Sequence, residues 1–148
     1  MLSVQTISSY FINRSSELNE NDLTNLKLQK LLFYAQAENI NESGSKVFTE
    51  EIEAWSYGPV VPSIYQWLKG CGAYPITSFD VETDASGLSS VETSFLCDVW
   101  EEYSKYSAIF LVKKTHEDGS PWSLAFKNGK STVITAGSIK SASLANEW

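Results

Sequence analysis

A mainly α-helical fold, compact, single-domain and built around one buried central helix with a small β element, is what this sequence predicts. Three observations carry that expectation. The stretch following Thr24 is apolar on two opposite sides, which suits the interior rather than the surface. Several other stretches repeat apolar residues at helical spacing behind residues that cap helices. Extended stretches rich in β-branched or aromatic residues are few and short. With 148 residues, no internal repeat and no linker, the span 1–148 fits one core.

In chain order, Val4, Ile7, Phe11 and Ile12 recur at helical spacing and predict a first amphipathic helix over about 3–14. Thr24 then offers a hydroxyl to unpaired backbone donors as an N-cap, and a second helix runs to about Asn39. On a helical wheel, Leu28, Leu31, Leu32 and Ala35 form one apolar stripe. Leu26, Phe33, Tyr34 and Ala37 form another on nearly the opposite side, leaving polar seams only at Gln29/Gln36 and Lys27/Glu38. Lys30 falls inside the second stripe, where an ammonium must reach water or meet a carboxylate. Glu51, Glu53, Glu117 and Asp118 are the candidate partners.

After the loop "NESGSK", Ile52 to Tyr57 reads as a strand that Gly58-Pro59 stops. Pro62 suits the first turn of a helix and Gly70 its C-terminal cap, with Ile64, Tyr65 and Leu68 facing inward. Residues 75–83 have weak strand character. The loop "SGLSS" leads into a one-sided helix over about 89–106 that places Val91, Phe95, Leu96, Val99, Trp100 and Tyr103 on its apolar face. Ser107 caps a further helix, "AIFLVKKTH", and Ser120 with Pro121 opens a short one that Gly129 closes. "STVIT" is strand-like, and Thr135 caps a final helix reaching the C-terminus.

Eleven basic against eighteen acidic side chains leave a net charge of −7, which repels a phosphate backbone and argues against direct nucleic-acid binding. The first residues lack a basic segment followed by a continuous apolar one, and no apolar run approaches the ~18 residues of a membrane span. No membrane contact is expected, and the chain reads as cytoplasmic. Cys71 and Cys97 lack CxxC spacing and are expected as thiols there.

"THEDGSPW" holds the only histidine of the chain. Beside Glu117 and Asp118, which would raise its pKa, His116 suits acid–base work, so a small hydrolase or nucleotide-handling enzyme is the catalytic reading. No Gly-x-Ser-x-Gly, catalytic cysteine motif or phosphate-cradling glycine loop accompanies it, and one histidine with two distant cysteines makes a poor zinc set. Neither cofactor nor metal is expected. Structurally, His116 closes one helix while Ser-Pro-Trp restarts and anchors the next. "EAWSYGPVVPSIY" also has two readings. Either Trp55 and Tyr57 fill the core around a turn, or they present a protein-binding patch.

Taken together, "LTNLKLQKLLFYAQA", "FTEEIEAWSYGPVVPSIY" and "THEDGSPW" resemble the SocA-like antitoxin family, also called the Panacea domain, which includes phage-associated proteins of the GepA type. The likeness runs from Leu23 to Trp122, and Trp-x-Tyr-Gly-Pro-Val is its most specific part. It marks Thr24, Leu28, Lys30 and Leu31 on the second helix, and Phe48, Ala54, Trp55, Tyr57, Gly58, Pro59 and Val60 around the turn. It also marks Thr115, His116, Pro121 and Trp122 as motif residues with structural or partner-binding roles. Asn25 stands where the family often has proline.

The resemblance implies a non-enzymatic antitoxin that neutralises a cognate protein toxin encoded nearby by direct binding, of prophage or toxin–antitoxin origin. Delivery of the toxin to a protease is the adaptor mode it suggests. A phage-exclusion factor that binds a host protein is the alternative of the same kind. An acidic, aromatic-bearing surface suits a basic partner.

Overall fold

The computed structural model describes residues 1–146. The elements are α1 (Val4–Glu17), α2 (Asn25–Ser43), β1 (Ile52–Trp55), β2 (Gly58–Val60), α3 (Pro62–Leu68), a 3₁₀ turn (Lys69–Cys71), α4 (Ser90–Tyr103), α5 (Ala108–Thr115), α6 (Pro121–Phe126), β3 (Thr132–Ile134) and α7 (Ala136–Asn146). The expected mainly α fold with a small sheet is what forms.

α2 occupies the centre, touching α1, α3, α4, α5, α7 and β2. Leu28, Leu31, Leu32 and Ala35 of one stripe are buried, as are Phe33, Tyr34 and Ala37 of the other. Three of the four seam residues, Lys27, Gln29 and Gln36, are buried too, which helical periodicity alone does not reveal. Lys27 donates to the Asp22 carboxylate at 2.8 Å and to the Ser104 carbonyl at 2.6 Å. Gln36 accepts the Val47 N–H at 2.7 Å and donates to the Phe48 carbonyl at 2.9 Å, which holds Phe48 in the core. Lys27 and Gln36 are thereby satisfied, the condition under which burial is tolerable. Thr24 caps α2 by accepting the Lys27 N–H. The helix outlasts its apolar pattern, because it ends at Gly44, where the left-handed conformation (φ +76°) carries no Cβ penalty.

The sheet order is β2-β1-β3, antiparallel throughout. Trp55 pairs with Gly58, so Ser56 and Tyr57 form a two-residue hairpin loop. Gly58-Pro59 therefore does not end the β element. It opens the return strand, where an edge position tolerates the missing proline N–H. β3 docks on the other side of β1, with Ile52 opposite Ile134.

Other expectations shift in detail. Residues 75–83 form turns rather than a strand, with Thr77 donating to Asp80 and the Ile76 N–H reaching the Leu23 carbonyl. Gly70 lies within the 3₁₀ turn, and Gly72 takes the positive φ behind it. On α4, Ser89 and Glu92 form a capping box. Its buried face is Leu96, Val99, Trp100 and Tyr103, while Val91 is 77% exposed. Ser107, Ser120 and Thr135 each accept a backbone N–H at a helix start. The last two residues of the expected C-terminal helix lie outside the described residues. Among the described residues, no helix is long and apolar enough to cross a membrane.

Candidate functional site

The sequence stretches marked above converge on the β1–β2 hairpin. Lys30, on α2, is fully buried and donates its ammonium hydrogen to the Pro59 carbonyl at 3.1 Å. No carboxylate pairs with it among the described residues, so the expected partnership with Glu51, Glu53, Glu117 or Asp118 does not form. The reason is geometric: the hairpin carries a backbone carbonyl to the ammonium before any acidic side chain reaches it. Burial without a counter-charge lowers the Lys30 pKa from 10.5 to about 7.

Gly58 is required by this approach. Its φ is +112°, and a Cβ built there would lie 2.6 Å from Lys30 Cε and 3.1 Å from Thr115 Oγ1. Thr115 is buried at the end of α5, its hydroxyl donating to the Val112 carbonyl at 2.8 Å while its own carbonyl accepts from Ser120 Oγ at 2.7 Å. Pro121 then opens α6, and Trp122 donates its indole N–H to the Trp55 carbonyl at 2.7 Å. The hairpin is thus held by Lys30 from α2, by Thr115 packing from α5 and by Trp122 from α6.

His116 terminates α5, its backbone N–H reaching the Val112 and Lys113 carbonyls. Its ring lies flat on Trp122, with centroids 3.7 Å apart, and Phe126 continues the stack on the indole. Nε2 is buried without a hydrogen-bond partner. Burial first, and the Lys30 ammonium second, hold the imidazole below its ordinary pKa. The expectation that Glu117 and Asp118 raise it is overturned, because both carboxylates are exposed and neither bonds the ring. Among the described residues, no side chain hydrogen-bonds His116 Nε2, so no nucleophile–base pair forms there. Among the described residues, no three metal-ligating side chains assemble, and both cysteines are free thiols.

On the outer side of the clamp the hairpin borders an open groove of about 820 Å³. Thr24, Trp55, Tyr57 and Val60 line it, with Leu26 and Tyr65. Of the two readings of this stretch, the core reading does not hold for Tyr57, which is 70% exposed at the hairpin tip. Trp55 is half-buried, edge-on to Tyr65 at 5.1 Å, with its indole N–H donated to Glu53 at 2.9 Å. Leu28, Leu31, Phe48 and Ala54 lie in the core and support the site from behind.

Residue-by-residue reading missed Gln29 and Asn25. Gln29 accepts the Val61 N–H at 2.8 Å, terminating the hairpin, and donates to Asn25, which in turn donates to the Tyr65 carbonyl at 3.3 Å. The available signal was an amide on a helix apolar on both sides, where burial obliges a partner.

A family model described as "Antitoxin SocA-like, Panacea domain" matches residues 28–123. Antitoxin SocA of Caulobacter vibrioides (strain NA1000 / CB15N) is 29% identical over 124 residues, a span covering 78% of this chain. The matched region amounts to 65% of that relative's length. No solved structure matches the chain.

Proposed function

Since this chain belongs to the antitoxin SocA-like, Panacea domain family, we propose that it neutralises a cognate protein toxin by binding it directly, with no chemistry performed on the toxin. The observation that carries this reading is the hairpin. Buried groups from three helices hold its base, while its tip presents Tyr57 beside an open aromatic groove. A rigid scaffold that displays aromatic side chains at low ordering cost is the arrangement of a binding surface. The catalytic alternative loses its main support, because a stacked imidazole held below its usual pKa by burial and a neighbouring lysine is poorly placed as a base. Delivery to a protease, as an adaptor, presupposes the same complex.

The test is co-expression with the product of an adjacent small gene. Growth suppressed by that product alone is expected to return, and the two proteins to co-purify with an affinity measurable by calorimetry. Weakening the complex reduces rescue in step, each tenfold loss corresponding to ~1.4 kcal/mol. Rescue without association in pull-down and calorimetry would refute the proposal.

A further inference from the structure

We propose that the groove beside the hairpin tip docks an acidic polypeptide segment, one that seats an apolar side chain on the aromatic floor and sets carboxylates against the rim. That the partner is a protein rests on the antitoxin reading, whereas the chemistry assigned to the segment comes from the groove.

The floor is Leu26, Trp55, Tyr57 and Tyr65, and among the described residues the formally charged side chains lining it are Lys69 and Lys130. That is a local reversal of sign, since the chain carries eighteen acidic against eleven basic residues. Two flanking carboxylates are already engaged: Glu53 accepts the Trp55 indole N–H at 2.9 Å, and Asp22 is paired with Lys27 at 2.8 Å. The ion pair offsets the Asp22 charge, whereas Glu53 keeps its own and stands against the two lysines. α2 and α5 also both begin at the groove, at Asn25 and Ala108, and so direct the positive ends of their dipoles towards it. The groove is therefore complementary to negative charge, the reverse of what the chain's overall acidity suggests for a partner.

Its shape favours a peptide. The volume of about 820 Å³ is within the range of sites that enclose a sizeable ligand, and the floor is apolar and aromatic with polar groups at the edge. The Trp55 ring is held by Tyr65 and Glu53, so little ordering is needed on docking. A nucleic-acid strand has the right sign of charge, but it needs a track of cations along its backbone. Two lysines on a chain of net charge −7 do not supply one.

The experiment titrates the ¹⁵N-labelled full chain with four probes. They are the acidic peptide acetyl-Asp-Glu-Trp-Leu-Glu-Asp-amide, its Asn/Gln counterpart, its lysine counterpart, and an oligo-dT strand. The acidic peptide is expected to shift the Trp55 indole signal and the amides of Ser56, Tyr57, Lys69 and Lys130. The amide counterpart should bind about tenfold more weakly, as should the acidic peptide to the Lys69→Glu, Lys130→Glu double variant, with loss of salt dependence. Both lysines are exposed, so the double variant should unfold at the wild-type temperature. No shift at the groove with millimolar acidic peptide, preference for the lysine peptide, or oligo-dT binding there each overturns the inference.

The same double variant is then tested against the adjacent gene's product. If that product binds wild type and variant equally and with the same salt dependence, the groove assignment fails and the antitoxin reading stands. If it binds neither while the acidic peptide fills the groove, the antitoxin reading fails and the groove assignment stands.

Discussion

Replacing Lys30 by methionine keeps an unbranched side chain only one heavy atom shorter and removes the charge, so it probes the consequence of burying an ammonium against a lone carbonyl. Burial lowers the pKa from 10.5 to about 7, which means the unfolded chain holds a proton that the folded chain has released between those values. Stability therefore rises with pH across that window, at about 1.4 kcal/mol per unit for one proton. Below about pH 7 both states are protonated and the fold carries the whole penalty, on the order of 5 kcal/mol for a pKa lowered from 10.5 to about 7. Above about pH 10.5 both states are neutral and the penalty is absent.

Methionine abolishes this proton-linked term and leaves the Pro59 carbonyl without its donor, a loss of ~1–3 kcal/mol. The variant should accordingly be more stable than wild type by about 2–4 kcal/mol at pH 6, and less stable by about 1–3 kcal/mol above pH 10.5. The curves cross near pH 9 for a carbonyl loss of about 2 kcal/mol. Urea unfolding followed by tryptophan fluorescence, repeated at each pH for both proteins, gives the difference directly, because the other titrating groups are shared and largely cancel. A difference that stays constant with pH would mean that the ammonium remains charged in the fold, solvated or paired with an acid, and would refute the reasoning.

The hairpin and the groups that hold it give four further expectations. Gly58→Ala adds left-handed strain of ~1–3 kcal/mol to a contact at 2.6 Å with Lys30 Cε; thermal unfolding should show a large loss, partly recovered when Lys30 is shortened to alanine in the same chain. Tyr57→Ala should change stability by no more than about 0.5 kcal/mol while weakening the partner complex about tenfold, whereas Trp122→Ala should cost about 3–5 kcal/mol through loss of its packing and of its bond to Trp55. The His116 imidazole should titrate below 6.5 by NMR and move upward in Lys30→Met, and its contribution to stability should be lost as pH falls from about 6.5 through the folded pKa.

Elements whose causes are local were legible in the sequence. Thr24, Ser107, Ser120 and Thr135 all cap helices, because a hydroxyl bonds a backbone N–H only two or three residues ahead and the motif is therefore written within one turn. The central place of α2 was legible for a similar reason: apolar stripes on two sides cannot both be buried at a surface. The assembly of Lys30, Gly58, Thr115, His116 and Trp122 was marked by family resemblance rather than by chemistry. Nothing in the spacing of these residues indicates that they touch.

What the sequence determined by itself, then, was periodicity, capping and net charge, all properties of short stretches or of composition. Only the tertiary structure decided which polar partner each buried group receives. Lys30 meets a carbonyl 29 positions away, Gln29 an N–H 32 away, and Trp122 a carbonyl 67 away. A carboxylate was the reasonable partner for Lys30, and raised basicity the reasonable fate of His116, as long as neighbours were counted along the chain. Packing reversed both: the hairpin brings a backbone carbonyl rather than an acid to Lys30, and burial first, with the Lys30 ammonium second, lowers the pKa of His116. The groove's lysines have the same origin: Lys69 and Lys130 lie far apart in the chain and line one groove only because the fold brings the 3₁₀ turn and the approach to β3 to it.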